Sequence, residues 1–236
     1  MRKKLTRTIV ITGATGDIAQ EIVKQLPDDD HLILVSRRKE ALSELYGHLT
    51  HVTLFTTDEL LNKEEVGPVD ILINNAGFGI FKPLMSQTDA EVTEQFVINT
   101  LLPIQLTRQL IPQRQLVNIA SISGKLPTAK SSIYAASKAA LLTFSDALRM
   151  ENPALIVTTV NTGPVRTKFH KENQAYLAKV GRTALSAEKV ATKIVQSLGK
   201  KRREINLPWT LSTASRLRAL MPGLFDYLST RFFNFK

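Results

Sequence analysis

Short apolar runs alternate along the first 165 positions with longer stretches in which apolar residues recur every three or four places. The short runs are Thr8–Ile11, His31–Val35, Val52–Phe55, Val69–Ile73, Leu116–Ile119 and Ile156–Val160. Several are apolar throughout, the pattern of strands covered by helices on both faces. The longer stretches, over 17–26, 39–47, 89–110 and 132–150, predict helices. Such alternation implies right-handed crossovers and an α/β fold, a doubly wound parallel sheet in a single domain. The stretch Asp58–Pro68 is short for a crossover helix, so that unit is expected to be truncated. No repeat, low-complexity tract or linker divides the chain.

The pattern changes beyond residue 203. Glu204–Trp209 reads as a last strand and its exit. Leu217, Leu220, Met221, Leu224, Leu228 and Phe232 then recur at three- and four-residue steps, interleaved with Arg216, Arg218 and Arg231. This predicts an amphipathic helical extension, with Pro222 starting a second helix. Three destinations stay open for it: its own domain or a partner subunit, an anionic membrane surface, or the substrate pocket.

Charge sharpens that division. The chain of 236 residues carries a formal net charge of +10. Residues 1–165 hold 16 Lys and Arg against 17 Asp and Glu, whereas residues 166–236 hold 15 against 4. The basic excess belongs to the C-terminal third. Neither base-stacking aromatics nor a nucleic-acid module accompanies it, so nucleic acid is not an expected partner. With no cysteine there is no disulfide framework, thiolate nucleophile or zinc–thiolate site. The histidines, His31, His48, His51 and His170, show no metal-ligand spacing, and no metal is expected. Met1-Arg2-Lys3-Lys4 imitates the basic start of a signal peptide, but a short strand and a glycine follow it rather than an apolar core. A cytoplasmic location is expected, with peripheral contact at a membrane surface left open.

Three places carry chemistry. The first apolar run ends in Thr12-Gly13-Ala14-Thr15-Gly16-Asp17-Ile18-Ala19, a glycine turn into a helix, which lets backbone approach a pyrophosphate at the helix N-terminus. An ordinary glycine-containing turn would look the same. No Gly-Lys-Ser/Thr follows, so it is not a Walker A loop. The second run ends in Ser36-Arg37-Arg38 with no carboxylate, which suits the 2′-phosphate of NADP better than the free ribose of NAD. Tyr134 and Lys138 stand four apart on a predicted helix and share a face. A phenol has an ordinary pKa near 10, so acid–base work near neutrality needs a drop of about 3 units, which a neighbouring ammonium favours. Ser121 lies thirteen residues before Tyr134, just past an apolar run; it is no nucleophile elbow, since Ile119 stands where the first glycine would be.

Together these residues resemble the short-chain dehydrogenase/reductases in their compact, single-domain Rossmann-type form. The resemblance rests on the glycine turn at 12–19, Asn74-Asn75-Ala76-Gly77, Asn99 and Asn118-Ile119-Ala120-Ser121. It continues through Tyr134-Ala135-Ala136-Ser137-Lys138 and Asn161-Thr162-Gly163-Pro164-Val165-Arg166-Thr167, in the family's order over about residues 6–200. It implies a catalytic set of Asn99, Ser121, Tyr134 and Lys138. Tyr134 would exchange the hydroxyl proton, Ser121 would hold the substrate oxygen, and Lys138 would bind the nicotinamide ribose and lower the Tyr134 pKa. Asn99 would hold a water in a proton relay.

The cofactor, NADP(H) in preference to NAD(H), would meet Gly13, Thr15, Gly16, Ile18, Ser36, Arg37, Arg38, Asn75, Ala76, Gly77, Tyr134, Lys138, Gly163, Val165 and Thr167. The implied organisation is a catalytic domain over 1–203, with a substrate lid at about 168–184, followed by the last strand and a basic helical tail packed on it over 204–236. Phe78, Phe81, Leu126, Pro127, Phe169 and Tyr176 are candidates for an apolar pocket, so the expected substrate is a small apolar carbonyl or alcohol. A homodimer or homotetramer is implied. The alternative is a catalytically silent NADP(H)-binding sensor or scaffold.

Three positions depart from the family's pattern. Gly13-x-x-Gly16-x-x-Ala19 is the spacing of larger relatives, and it sets Asp17 beside an expected pyrophosphate. Thr56 stands where an aspartate often contacts adenine, with Asp58 nearby as a substitute. Thr162 replaces the proline that commonly precedes Gly163.

Overall fold

A computed structural model describes residues 6–167, Phe169 and residues 184–232, with the side chains of Phe225, Ser229, Thr230 and Phe232 left aside. The expected lid falls almost wholly outside these residues, as do His170, Tyr176 and the basic N-terminus.

Seven parallel strands form one sheet in the order β3-β2-β1-β4-β5-β6-β9. They are β1 (Thr8–Thr12), β2 (His31–Ser36), β3 (Val52–Thr56), β4 (Ile71–Asn74), β5 (Gln115–Ile119), β6 (Ile156–Thr162) and β9 (Glu204–Leu207). A short parallel pair, β7 (Val165–Arg166) and β8 (Leu185–Ser186), stands apart. Helices α1 (Asp17–Gln25), α2 (Lys39–Tyr46) and α3 (Thr57–Leu61) follow the first three strands; α3 is the truncated crossover. The long stretch before β5 is α4 (Asp89–Phe96), a π-turn (Val97–Leu101) and α5 (Leu102–Leu110). Then come α6 (Ser132–Glu151), α7 (Ala187–Val195), α8 (Trp209–Leu220) and α9 (Pro222–Phe232).

Period-two alternation divides the core. Ile9, Ile11, Leu32, Leu34, Ile71 and Ile73 turn to one face, under Ile22 of α1, Leu42 of α2 and Val190 and Ile194 of α7. Val10, Ile33, Val35, Leu72, Leu116 and Val157 turn to the other, under Leu60 of α3 and Leu102, Leu106 and Leu110 of α5. This double cover is why the strands read as unbroken apolar runs. Helix starts are fixed locally: Thr56 with Glu59 and Thr88 with Glu91 form capping boxes, and Ser186 caps α7.

Two elements had no counterpart in the expected pattern. α7 completes the crossover from β6 to β9, and the β7–β8 pair is too short to give a period. The single helix expected over 89–110 is interrupted by its π-turn, which apolar spacing cannot show. β2 and β4 flank β1 on opposite sides, and that reversal of strand order creates a crevice at the carboxyl ends of the sheet.

Candidate active site

The crevice is a cavity of about 650 Å³ running from the β1–α1 turn to α6. Gly13 takes the left-handed conformation, φ +62°, and a Cβ there would stand 2.8 Å from Ala76 Cα. The glycine is thus demanded twice, by backbone angle and by close approach of the β4 exit. Thr12 Oγ1 accepts from the backbone amides of Asn75 and Ala76, both at 3.0 Å. The Asn75 amide donates to the carbonyls of Thr12 and Gly13, each at 3.1 Å. Tyr46 donates to Ala14 O at 2.7 Å from below, and burial pushes its pKa up to about 12. Gly16 starts α1 with no side-chain cap, so the first amides of that helix face the cavity without an internal acceptor from the cap.

Thr15, Gly16, Ile18, Ser36 and Arg37 line the same end. Thr15 and Ser36 hydroxyls lie 3.2 Å apart. Arg37 reaches Glu94 of α4 at 3.5 Å in an exposed pair, whereas Arg38 is not part of the cavity wall. Asp17 does line it, at the first position of α1, and Thr56 and Asp58 line it near β3.

Deeper in, the side chains converge on α6. Lys138 is 3% exposed and donates to Ile119 O at 2.9 Å, the last carbonyl of β5. Burial alone holds its pKa down at about 8. A Cβ on Gly77 would come within 3.1 Å of Lys138 Nζ and 3.0 Å of Asn99 Oδ1, so this glycine leaves room beside both groups. Asn99 sits on the π-turn and is fully buried. It accepts from Phe78 N at 3.0 Å and donates to Phe78 O at 2.8 Å and Ser137 Oγ at 3.0 Å. It stands behind the cavity wall and fixes the β4 exit against α6.

Ser121 Oγ accepts from Ser123 N at 3.1 Å and approaches Thr162 O at 3.5 Å. Tyr134 is buried, with Phe81 and Phe169 around its ring at centroid distances of 5.2 and 5.9 Å. A Cβ on Gly79 would strike the Tyr134 ring at 2.8 Å. Asn75, Ala76, Gly77, Gly163, Val165 and Thr167 complete the wall. Of the expected pocket residues, Phe78, Phe81 and Phe169 line it, and Leu126 and Pro127 do not.

Sequence reasoning passed over Gly79, Ser137 and the Ile119 carbonyl. Ser137 lay inside the quoted Tyr134–Lys138 segment and could have been read from its inward position. A backbone carbonyl leaves no mark in residue identity.

A family model for short chain dehydrogenases matches residues 7–178. The chain belongs to the short-chain dehydrogenase/reductases. Among the relatives of this short-chain dehydrogenase/reductase is the mouse (Mus musculus) dehydrogenase/reductase SDR family member 7B. It is 32% identical over a 253-residue alignment covering 92% of this chain and 78% of that protein. A Sphingobium yanoikuyae short-chain dehydrogenase solved in complex with NADPH superposes with a TM-score of 0.78 at 23% identity, over 94% of this chain and 95% of that one. A Burkholderia phymatum short-chain dehydrogenase/reductase solved in complex with NAD gives 0.81 at 20% identity, over 95% and 96%. At those identities the two structures speak for the fold.

The residues present fit a dinucleotide. The glycine crossing at Gly13, the uncapped start of α1 and the space kept open at Gly77 form a continuous cradle of the kind such a cofactor fills. Asp17 is the one group of opposing charge at that end of the wall among the residues lining the β1–α1 turn.

Proposed function

We propose that this family member interconverts a carbonyl and an alcohol using NADP(H), with Tyr134 as the general acid and base. The observation that carries the reading is Lys138: an ammonium buried in the protein interior, one helical turn from a phenol in the same cavity as Ser121. Such a group destabilises the fold, and chains keep it where it works. Held at about 8, Lys138 is still largely protonated at neutral pH, and its charge favours the phenolate of Tyr134.

When bound, NADPH would supply the hydride to the carbonyl carbon, or NADP would take it back. In the reducing direction Tyr134 gives its phenolic proton to the carbonyl oxygen, and Ser121 donates a hydrogen bond to the same oxygen. Asn99 keeps the Phe78 loop and α6 in register while this happens. Phe81 and Phe169 exclude water from one side of the Tyr134 ring and favour an apolar substituent on the substrate.

The preference for NADP(H) rests on Arg37. Its pair with Glu94 is exposed and therefore weak, so the guanidinium can turn to a 2′-phosphate beside the Ser36 hydroxyl. Relatives of this fold include a protein solved with NADPH and another solved with NAD, so the chain's own residues carry the assignment.

Tyr134→Phe tests the reading. NADPH consumption with a panel of apolar aldehydes and ketones should fall by about 10²–10⁴-fold, while NADPH binding measured by fluorescence stays as in the native chain. A native chain that binds NADPH and reduces nothing, with a Tyr134→Phe variant indistinguishable from it, would establish the silent sensor instead.

A further inference from the structure

Helices α8 and α9, with Met221 between them, hold seven of the fifteen exposed large hydrophobic side chains among the described residues. Trp209 is 73% exposed, Leu217 52% and Leu220 80%; at 100° per residue these three fall within about 80° of arc on α8. Leu224, Tyr227 and Leu228 continue the display on α9 at steps of three and four, and Arg231 extends the same stripe. The other flank of α8 is the one that meets the body. Leu211 there is partly buried, and its Cδ1 would stand 2.7 Å from a Cβ on Gly163. Folding has used the inner flank and left Trp209, Leu217 and Leu220 on the outer one, with Thr213 among them.

Chemistry narrows what can cover it. The helices, 12 and 11 residues long, are too short to span a bilayer, and no described helix is long and apolar enough to do so. A second copy of the chain would bring a further Arg216 and Arg231 to the covered face. Asp226, the carboxylate of this pair of helices, is already engaged by Arg218 at 2.9 Å. An anionic surface resolves both features at once: it takes up the leucines, seats Trp209 and Tyr227 at the level of its headgroups, and offers phosphates to the arginines. We infer that the outer face of α8 and α9 docks in the plane of an anionic lipid surface.

Flotation of the full chain with vesicles tests this directly. The chain should rise with phosphatidylcholine vesicles containing about a third phosphatidylserine and stay behind with phosphatidylcholine alone. Replacing Trp209, Leu217 and Leu220 together by serine should reduce capture about tenfold or more, and Arg216→Glu with Arg231→Glu should reduce it by a similar factor. Turnover on a water-soluble carbonyl should be unchanged in both. Trp209 is the single tryptophan of the chain, so its emission should shift to the blue when anionic vesicles are added, a readout that needs no variant. The inference fails if native chain stays at the bottom and the emission does not move. It fails equally if the serine variant floats as well as the native chain. Sedimentation of a native dimer that the serine variant splits, with no capture by vesicles, would assign the face to a second copy.

Discussion

Lys138 keeps an ammonium at 3% exposure beneath the carboxyl end of the sheet, while Trp209, two residues past the last strand, leaves 73% of its surface in water. Burial is inverted at both places, and the inversion has opposite consequences. At Lys138 the fold forces an unfavourable charge inward and hydrogen-bonds it to a single backbone carbonyl, so stability is given up for an electrostatic field at Tyr134. On α8 and α9 nothing is forced: the exposed leucines add little to folding and are free to act on something outside. An inverted residue inside a domain therefore costs stability, and one outside it costs solubility.

The sharpest way to break the contrast is to remove the charge. Lys138→Met should lower turnover about a hundredfold or more, yet raise cofactor-free stability at pH 7 by on the order of 1–3 kcal/mol in urea denaturation. The pH dependence carries the same signature. Folding holds the Lys138 pKa at about 8, below its ordinary value near 10.5, so between those values the unfolded chain binds the extra proton. Stability of the native chain should then rise with pH across that window, and the variant should lose that rise. Next in size, Leu116→Ala, at a fully buried position between the sheet and α5, should cost about 2–5 kcal/mol. Arg37→Ala leaves the core untouched and should shrink the NADPH over NADH preference in kcat/KM by about tenfold or more. Smallest of all, Leu220→Ala should change stability by less than about 0.5 kcal/mol, because so little of that side chain is buried on folding.

The sheet was legible because its central strands are covered on both faces, which writes an apolar run directly into the chain. Residues whose chemistry is in the side chain were legible too: Tyr134, Lys138 and Ser121 announce themselves by type and spacing. What stayed hidden works through backbone or through empty space. The Ile119 carbonyl that holds Lys138, and the room left by Gly77 and Gly79, depend on which segments approach one another in three dimensions. α7 was hidden for another reason. Its apolar positions, Val190, Ala191, Ile194 and Val195, do recur at helical steps, but over only nine residues and after a segment with no periodicity of its own.

The π-turn at Val97–Leu101 makes residue count itself a requirement. Each such turn closes over one more residue than an α-helical turn, so the faces of α4 and α5 on its two sides are offset. Deleting any one position there would restore regular winding, leave the flanking faces in place and move the side chains inside the turn by one position. Asn99 would then leave either the Phe78 loop or Ser137, although no residue type had changed. Insertions and deletions are usually absorbed by loops such as the one around Gly67, where a side chain would meet nothing within 4 Å. In this helix a length change of one would act as a substitution at Asn99 itself.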